Sequence, residues 1–190
     1  MSDPHADPIS PAERAEPVVV VPYDPGWPAQ FAKLRDRIAA ALGDLAVGIE
    51  HVGGTAVPGL DAKPIVDLDV VVRPEQDLAV VVERLGTLGY EHLGDLGVHG
   101  RDAFRASAAD PLPRHHLYVC PAGSAALSAH LTLRDELRAD PALAAQYAAL
   151  KRELAARYRA DRDAYTEGKT HFITGVLLRA RDGDQRTRRR

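Results

Sequence analysis

Asp67 and Asp69 stand two residues apart in the run Ile65-Val66-Asp67-Leu68-Asp69-Val70-Val71-Val72. β-Branched and aliphatic residues fill this run and Pro64 and Pro74 bracket it, so it reads as a β-strand. Side chains alternate along a strand, which puts both carboxylates on one face and Leu68 and Val70 on the other. Two like charges side by side on a mostly buried strand repel, and burying them unpaired either costs several kcal/mol or forces protonation. A divalent cation removes that penalty, and hard carboxylate oxygens on a short rigid element suit Mg²⁺ or Mn²⁺. The competing reading is an edge strand whose polar face meets water.

Upstream lies Gly53-Gly54-Thr55, and twelve residues separate Gly54 from Asp67. The glycines let backbone N–H groups approach an anion, and Thr55 can add a hydroxyl donor. Taken by itself the glycine pair marks no more than a loop. Facing a carboxylate pair, it describes a site for a nucleoside triphosphate.

These residues carry a resemblance. Val52-Gly53-Gly54, the gap and Asp67-Leu68-Asp69-Val70 are similar to the signature of the polymerase-β-type nucleotidyltransferase superfamily. More narrowly, Val21-Pro22-Tyr23-Asp24-Pro25-Gly26-Trp27, the stretch from His51 to Pro64 and Arg134-Asp135-Glu136-Leu137-Arg138 resemble the GrpB family, over about Val18 to Ala180. Gly54 and Ala56 depart from that family's usual Gly-Ser-Thr-Ser, which removes one hydroxyl suited to phosphate. The resemblance implies a nucleotidyltransferase-like mixed β-sheet with flanking helices. It also implies a Mg²⁺-dependent transfer of a nucleoside monophosphate from a nucleoside triphosphate such as ATP to a small-molecule acceptor. A non-catalytic binding or chaperone-like module is the alternative, because GrpB-like domains occur fused to dephospho-CoA kinases in some bacteria.

The superfamily commonly places a third carboxylate on a neighbouring strand, and none is evident here. Arg114 to Val119 offers His116 and Tyr118 on one face and His115, Leu117 and Val119 on the other. His116 is therefore the candidate to replace that carboxylate, as metal ligand or as proton acceptor, against the plainer reading of a histidine hydrogen-bonded within the sheet. Phosphate-binding candidates are His51, which could equally support the loop, Lys63, Arg134, Lys151 and Lys169, with Arg101 and Arg105 weaker. Arg134 and Asp135 are adjacent on a helix and are expected to face different directions. Tyr165 and Lys169, four apart, share a helical face.

The 190 residues are 45% hydrophobic and 27% charged, which fits one ordinary globular domain. A net charge of −3 argues against a general nucleic-acid surface. The single cysteine, Cys120, excludes an intrachain disulfide, and no stretch is apolar enough to span a bilayer, so a cytoplasmic location is expected. The eight histidines lack zinc-ligand spacing.

To position the site, the pattern predicts disorder through residue 17, a strand over 18–21, and a helix from Trp27 or Pro28 to about Leu42. A strand over 47–52 follows, then the Asp67/Asp69 strand and a helix opened by Pro74. Three short strands, 90–93, 103–107 and 115–120, precede helices over 124–138, 141–159 and 162–180. That order is α+β, one domain over 18–182, with a C-terminal helical layer and a basic disordered tail over 183–190.

Overall fold

The computed structural model describes residues 8–74, 78–107 and 111–188, apart from the side chains of residues 11 and 184–188. Its five-stranded mixed sheet runs β1-β2-β5-β4-β3, from β1 (Ala46–Val52), β2 (Val66–Val72), β3 (Glu91–His92), β4 (Asp102–Arg105) and β5 (His115–Pro121). β2 lies inside the sheet, antiparallel to β1 and parallel to β5, so its carboxylates are not on an edge. The α+β class and the mixed sheet expected from sequence are observed.

Alternation gives the sheet two unlike faces. Leu68, Val70 and Val72 join Leu117, Val119 and Phe104 to pack on α2 (Trp27–Leu42) and α3 (Leu78–Gly86), through Leu34, Ile38, Leu42, Val81 and Leu85. The opposite face carries Asp67, Asp69, His116 and Tyr118. Part of it is covered by α4 (Ala125–Ala139), where Leu127 meets Ala103, Tyr118 and Cys120. Helices α5 (Pro141–Arg157), α6 (Arg162–Gly168) and α7 (Thr170–Arg188) complete the helical layer. Ser124 and Asp140 cap α4 and α5 with their side-chain oxygens. Leu137, Leu143, Tyr147 and Val176 enclose Val57 and Leu60 of the loop after the glycine turn. The helical layer therefore closes over that turn.

Four expectations need correction. Disorder does not extend through residue 17: α1 (Pro11–Ala15) forms there, because Ser10 and Glu13 make a reciprocal capping box and Ile9 is buried. Residues 1–7 lie outside the described residues. The strand over 18–21 reduces to one bridge between Val21 and Ala62, since Val18 bonds Arg159 O instead. The helix over 162–180 is two helices, broken at Lys169, whose N–H bonds Thr166 O in a tighter turn. The basic tail is not wholly disordered, because α7 continues to Arg188.

Candidate functional site

The glycine turn is shaped by what it must pass. Gly53 has φ +70°, and a Cβ there would sit 2.1 Å from Asp67 Oδ2, so backbone lies directly against this carboxylate. At Gly54 a Cβ would lie 2.9 Å from Ala62 Cβ and 3.1 Å from Lys151 Nζ. The glycine that departs from the GrpB pattern thus stands beside a buried lysine.

Parallel pairing sets Asp67 opposite His116 and Asp69 opposite Tyr118. His116 Nδ1 lies 2.8 Å from Asp67 Oδ1. A carboxylate oxygen only accepts, so Nδ1 carries the donated proton, and Nε2 is buried without a protein partner. Asp69 is bound in the same way by a residue that sequence reading missed. His130 Nδ1 donates to its Oδ2 at 2.7 Å, while Oδ1 is buried and unpartnered. The two carboxylates differ in access: the Asp67 side chain is 27% exposed and that of Asp69 0%.

A cleft of ≈ 180 Å³ opens over this face. Asp67, His116, Gly53 and Gly54 line it, with Lys63, Lys151 and Lys169 from the loop and helical layers. Lys151 is 4% exposed, its Nζ unpartnered by hydrogen bonds and 4.8 Å from the Tyr147 ring centroid. Burial, reinforced by the Lys169 cation, pulls its pKa down to about 7. Lys63 and Lys169 both stand over the Tyr165 ring, at 5.7 and 4.8 Å. Arg101 and His130 also line the cleft, and Arg101 stacks on Tyr118 at 4.3 Å. Cations therefore outnumber the one carboxylate on the wall, which suits a polyanion.

Other sequence candidates lie elsewhere. Thr55 is buried, its hydroxyl 3.0 Å from His51 Nε2 and bonded to Ile65 O, so it braces the turn instead of offering a phosphate donor. His51 points to the α2 side and stacks on Phe31, and burial lowers its pKa to about 4. It supports the loop. Arg134 is not aimed at a phosphate: it bonds Glu50, His51 O and Asp135, and the contact with Asp135 corrects the expectation that these neighbours face apart. Its long side chain folds back along the helix to reach the next carboxylate. Arg105 pairs with Glu91 at the surface. Arg138, not singled out by sequence, donates twice to Ala56 O and clamps the loop.

Hard carboxylate oxygens are the donors a divalent cation would use here, with Asp67 on the cleft wall and the Asp69 side chain sealed behind it. Each imidazole occupies one carboxylate oxygen, which leaves Asp67 Oδ2 beside Gly53 and the orphaned Asp69 Oδ1. Among the described residues no three His, Cys, Asp or Glu side chains form a closed metal cage, so any such ion would complete its shell with water and ligand oxygens.

A mixed sheet carrying an acidic pair on an inner strand, a glycine turn against it and a helical layer over the cleft is a nucleotidyltransferase fold. The GLD-2/RNP-8 complex shares it, with a TM-score of 0.53 at 14% identity over 76% of this chain and 58% of that one. The chain belongs to the GrpB family, whose description "GrpB protein" matches residues 17–179. Crystalline GrpB from Enterococcus faecalis superposes with a TM-score of 0.76 at 31% identity, covering 85% of this chain and 96% of that one. A UPF0157 protein of Pseudomonas aeruginosa is 40% identical over 86% of this chain and 67% of its own length. A dephospho-CoA kinase of Mycolicibacterium paratuberculosis is 30% identical over 87% of this chain, which spans 46% of that protein. Among the described residues no helix is long and apolar enough to cross a membrane.

Proposed function

We propose that the cleft binds a nucleoside triphosphate with Mg²⁺ (or Mn²⁺) and that the chain transfers its nucleoside monophosphate to a small-molecule acceptor. The observation that carries this reading is the convergence of Asp67, Lys63, Lys151, Lys169 and the Gly53-Gly54 backbone on one cleft. Asp67 and Asp69 would hold the metal, which neutralises charge on the phosphates and on the leaving oxygen. The lysines offset the remaining phosphate charge. Gly53 and Gly54 let the turn close against Asp67, Ala62 and Lys151, which sets the carboxylate and the ammonium on the cleft wall. His116 Nε2 is the nitrogen able to take the acceptor's proton as its oxygen or nitrogen bonds the α-phosphorus, and pyrophosphate departs with the electrons of the broken P–O bond. Asp67 keeps that imidazole in the required tautomer.

Calorimetry with ATP and CTP, with and without Mg²⁺, tests the binding step. Metal-dependent binding should weaken by about tenfold or more in Asp67→Asn, the scale of losing a charge-assisted contact. Binding that is unchanged in both Asp67→Ala and Asp69→Ala would end the reading.

One observation favours a second reading, a nucleotide-fold module that binds a partner without turnover. Asp69 is fully buried and β5 presents His116 and Tyr118 where a third carboxylate would stand. The similarity to a longer dephospho-CoA kinase fits such a module. Pyrophosphate release in the presence of a metabolite mixture excludes it.

A further inference from the structure

A second cavity, ≈ 190 Å³, shares Lys63 and Ile65 with the cleft and is otherwise lined by Glu16, Pro17, Val19, Pro64, Arg114 and Arg162. Arg162 is 6% exposed. Its Nη2 donates to Glu13 O, while Nε and Nη1 are buried without any acceptor. The fold therefore buries a guanidinium with three of its five N–H groups unused.

Every nearby carboxylate is committed elsewhere. Asp161 caps α6 through Ala164 N, and Asp163 pairs with Arg14. Glu16 pairs with Arg114, and Glu13 divides its oxygens between Ser10 N and Arg114. Holding α1 accounts for one N–H of Arg162 and leaves the others unexplained. A buried charge and orphaned donors of this kind are costly unless something completes them.

We infer that Arg162, with Lys63 lining the same cavity and Arg114 neutralising Glu16, forms a second binding site for a small oxyanion, a phosphate or carboxylate group, beside the nucleotide cleft. The inference stands apart from the transfer reaction. Glu16 opposes an anion there, but its charge is offset by Arg114 at 2.6 Å. Lys63 borders both cavities, so an anion in the second one adjoins the wall of the first.

The test titrates the full chain with inorganic phosphate, and separately with succinate, following melting temperature and calorimetric heat. One of the two anions should raise the wild-type melting temperature at about 10 mM or below, and Arg162→Met should weaken that response about tenfold or more. Without anion, Arg162→Met should melt no lower than wild type, since it removes an unpaired buried charge. If Arg162→Met does not fold, Arg114→Gln, at the half-exposed end of the cavity, supplies the same comparison with a smaller loss. Asp67→Asn and Lys151→Met should keep the response. A response lost in Lys151→Met and kept in Arg162→Met would put the anion in the main cleft and overturn the inference, as would the absence of any response to either anion. Mg²⁺-dependent ATP binding should survive Arg162→Met, so failure here and failure of the transfer reading are separate results.

Discussion

The two faces of the central sheet solve opposite problems with the same four-residue stretch of strand. Toward α2 and α3, Leu68 and Val70 sit in a dry core in which Leu34, Ile38 and Leu117 are also fully buried. Toward the helical layer, Asp67 and Asp69 are each held by one imidazole, and a buried lysine stands across the cleft. The first face is at its free-energy optimum when the chain is alone. The second is not, because it buries one unpartnered carboxylate oxygen, Asp69 Oδ1, and a lysine ammonium without a hydrogen-bond partner.

Substitutions on the two faces should therefore differ in sign. Leu68→Ala should lose about 2–5 kcal/mol of stability in urea unfolding, the range for emptying a fully buried leucine site. Lys151→Met should go the other way, gaining up to ~4 kcal/mol at pH 7. The sign follows from linkage: the folded pKa, about 7, lies below the ordinary 10.5, so the unfolded chain holds this proton more tightly. The handicap of the wild type grows as pH falls from 10.5 to about 7 and is constant below that. The gain in Lys151→Met should vanish near pH 10.5, and equal stabilities at pH 7 would remove the contrast between the faces.

His51 marks the border between them. Its folded pKa, about 4 against an ordinary 6.5, means that its contribution is complete above pH 6.5 and lost as pH falls toward 4. Acid unfolding curves should show up to ~3 kcal/mol of that loss, and His51→Gln should flatten the slope. Gly53→Ala should also destabilise, by about 1–3 kcal/mol for the glycine-only backbone region and by more for the clash of its Cβ with Asp67 Oδ2. The added methyl displaces Asp67, so the hydrogen-bonded Nδ1 proton of His116 should shift or disappear in NMR spectra.

The shared face of Asp67 and Asp69 was legible because strand alternation is local, whereas the close approach at Gly53, expected toward a bound phosphate, is made to the Asp67 carboxylate. The burial of Asp69 was not, since it depends on where α4 sets His130, a matter of tertiary packing. A trace existed: His130 and Arg134 lie four apart, and both reach from α4 to β-strands, His130 to Asp69 and Arg134 to Glu50. Lys151 left a clearer one, as a lysine in the Leu143, Tyr147 and Leu154 stripe that buries one side of α5. Thr55 and Arg134 were misjudged because donors that look available in sequence are taken by His51, Ile65 O, Glu50 and Asp135 in the fold. The break at Lys169 was hidden for a similar reason. Gly168 packs so closely on Leu154 that a Cβ would come within 2.6 Å, and nothing in the local pattern signals that contact.

The parallel partnership of β2 and β5 also has a temporal meaning. Residues 73–114, with α3, β3 and β4 among them, must be laid down before His116 can reach Asp67. Pairings this distant in sequence are slow to form. Leu117 in the dry core and His116 on the acidic face are neighbours on β5, so the docking of this strand that completes the core also delivers the imidazole, and competence to hold a ligand should return together with core burial.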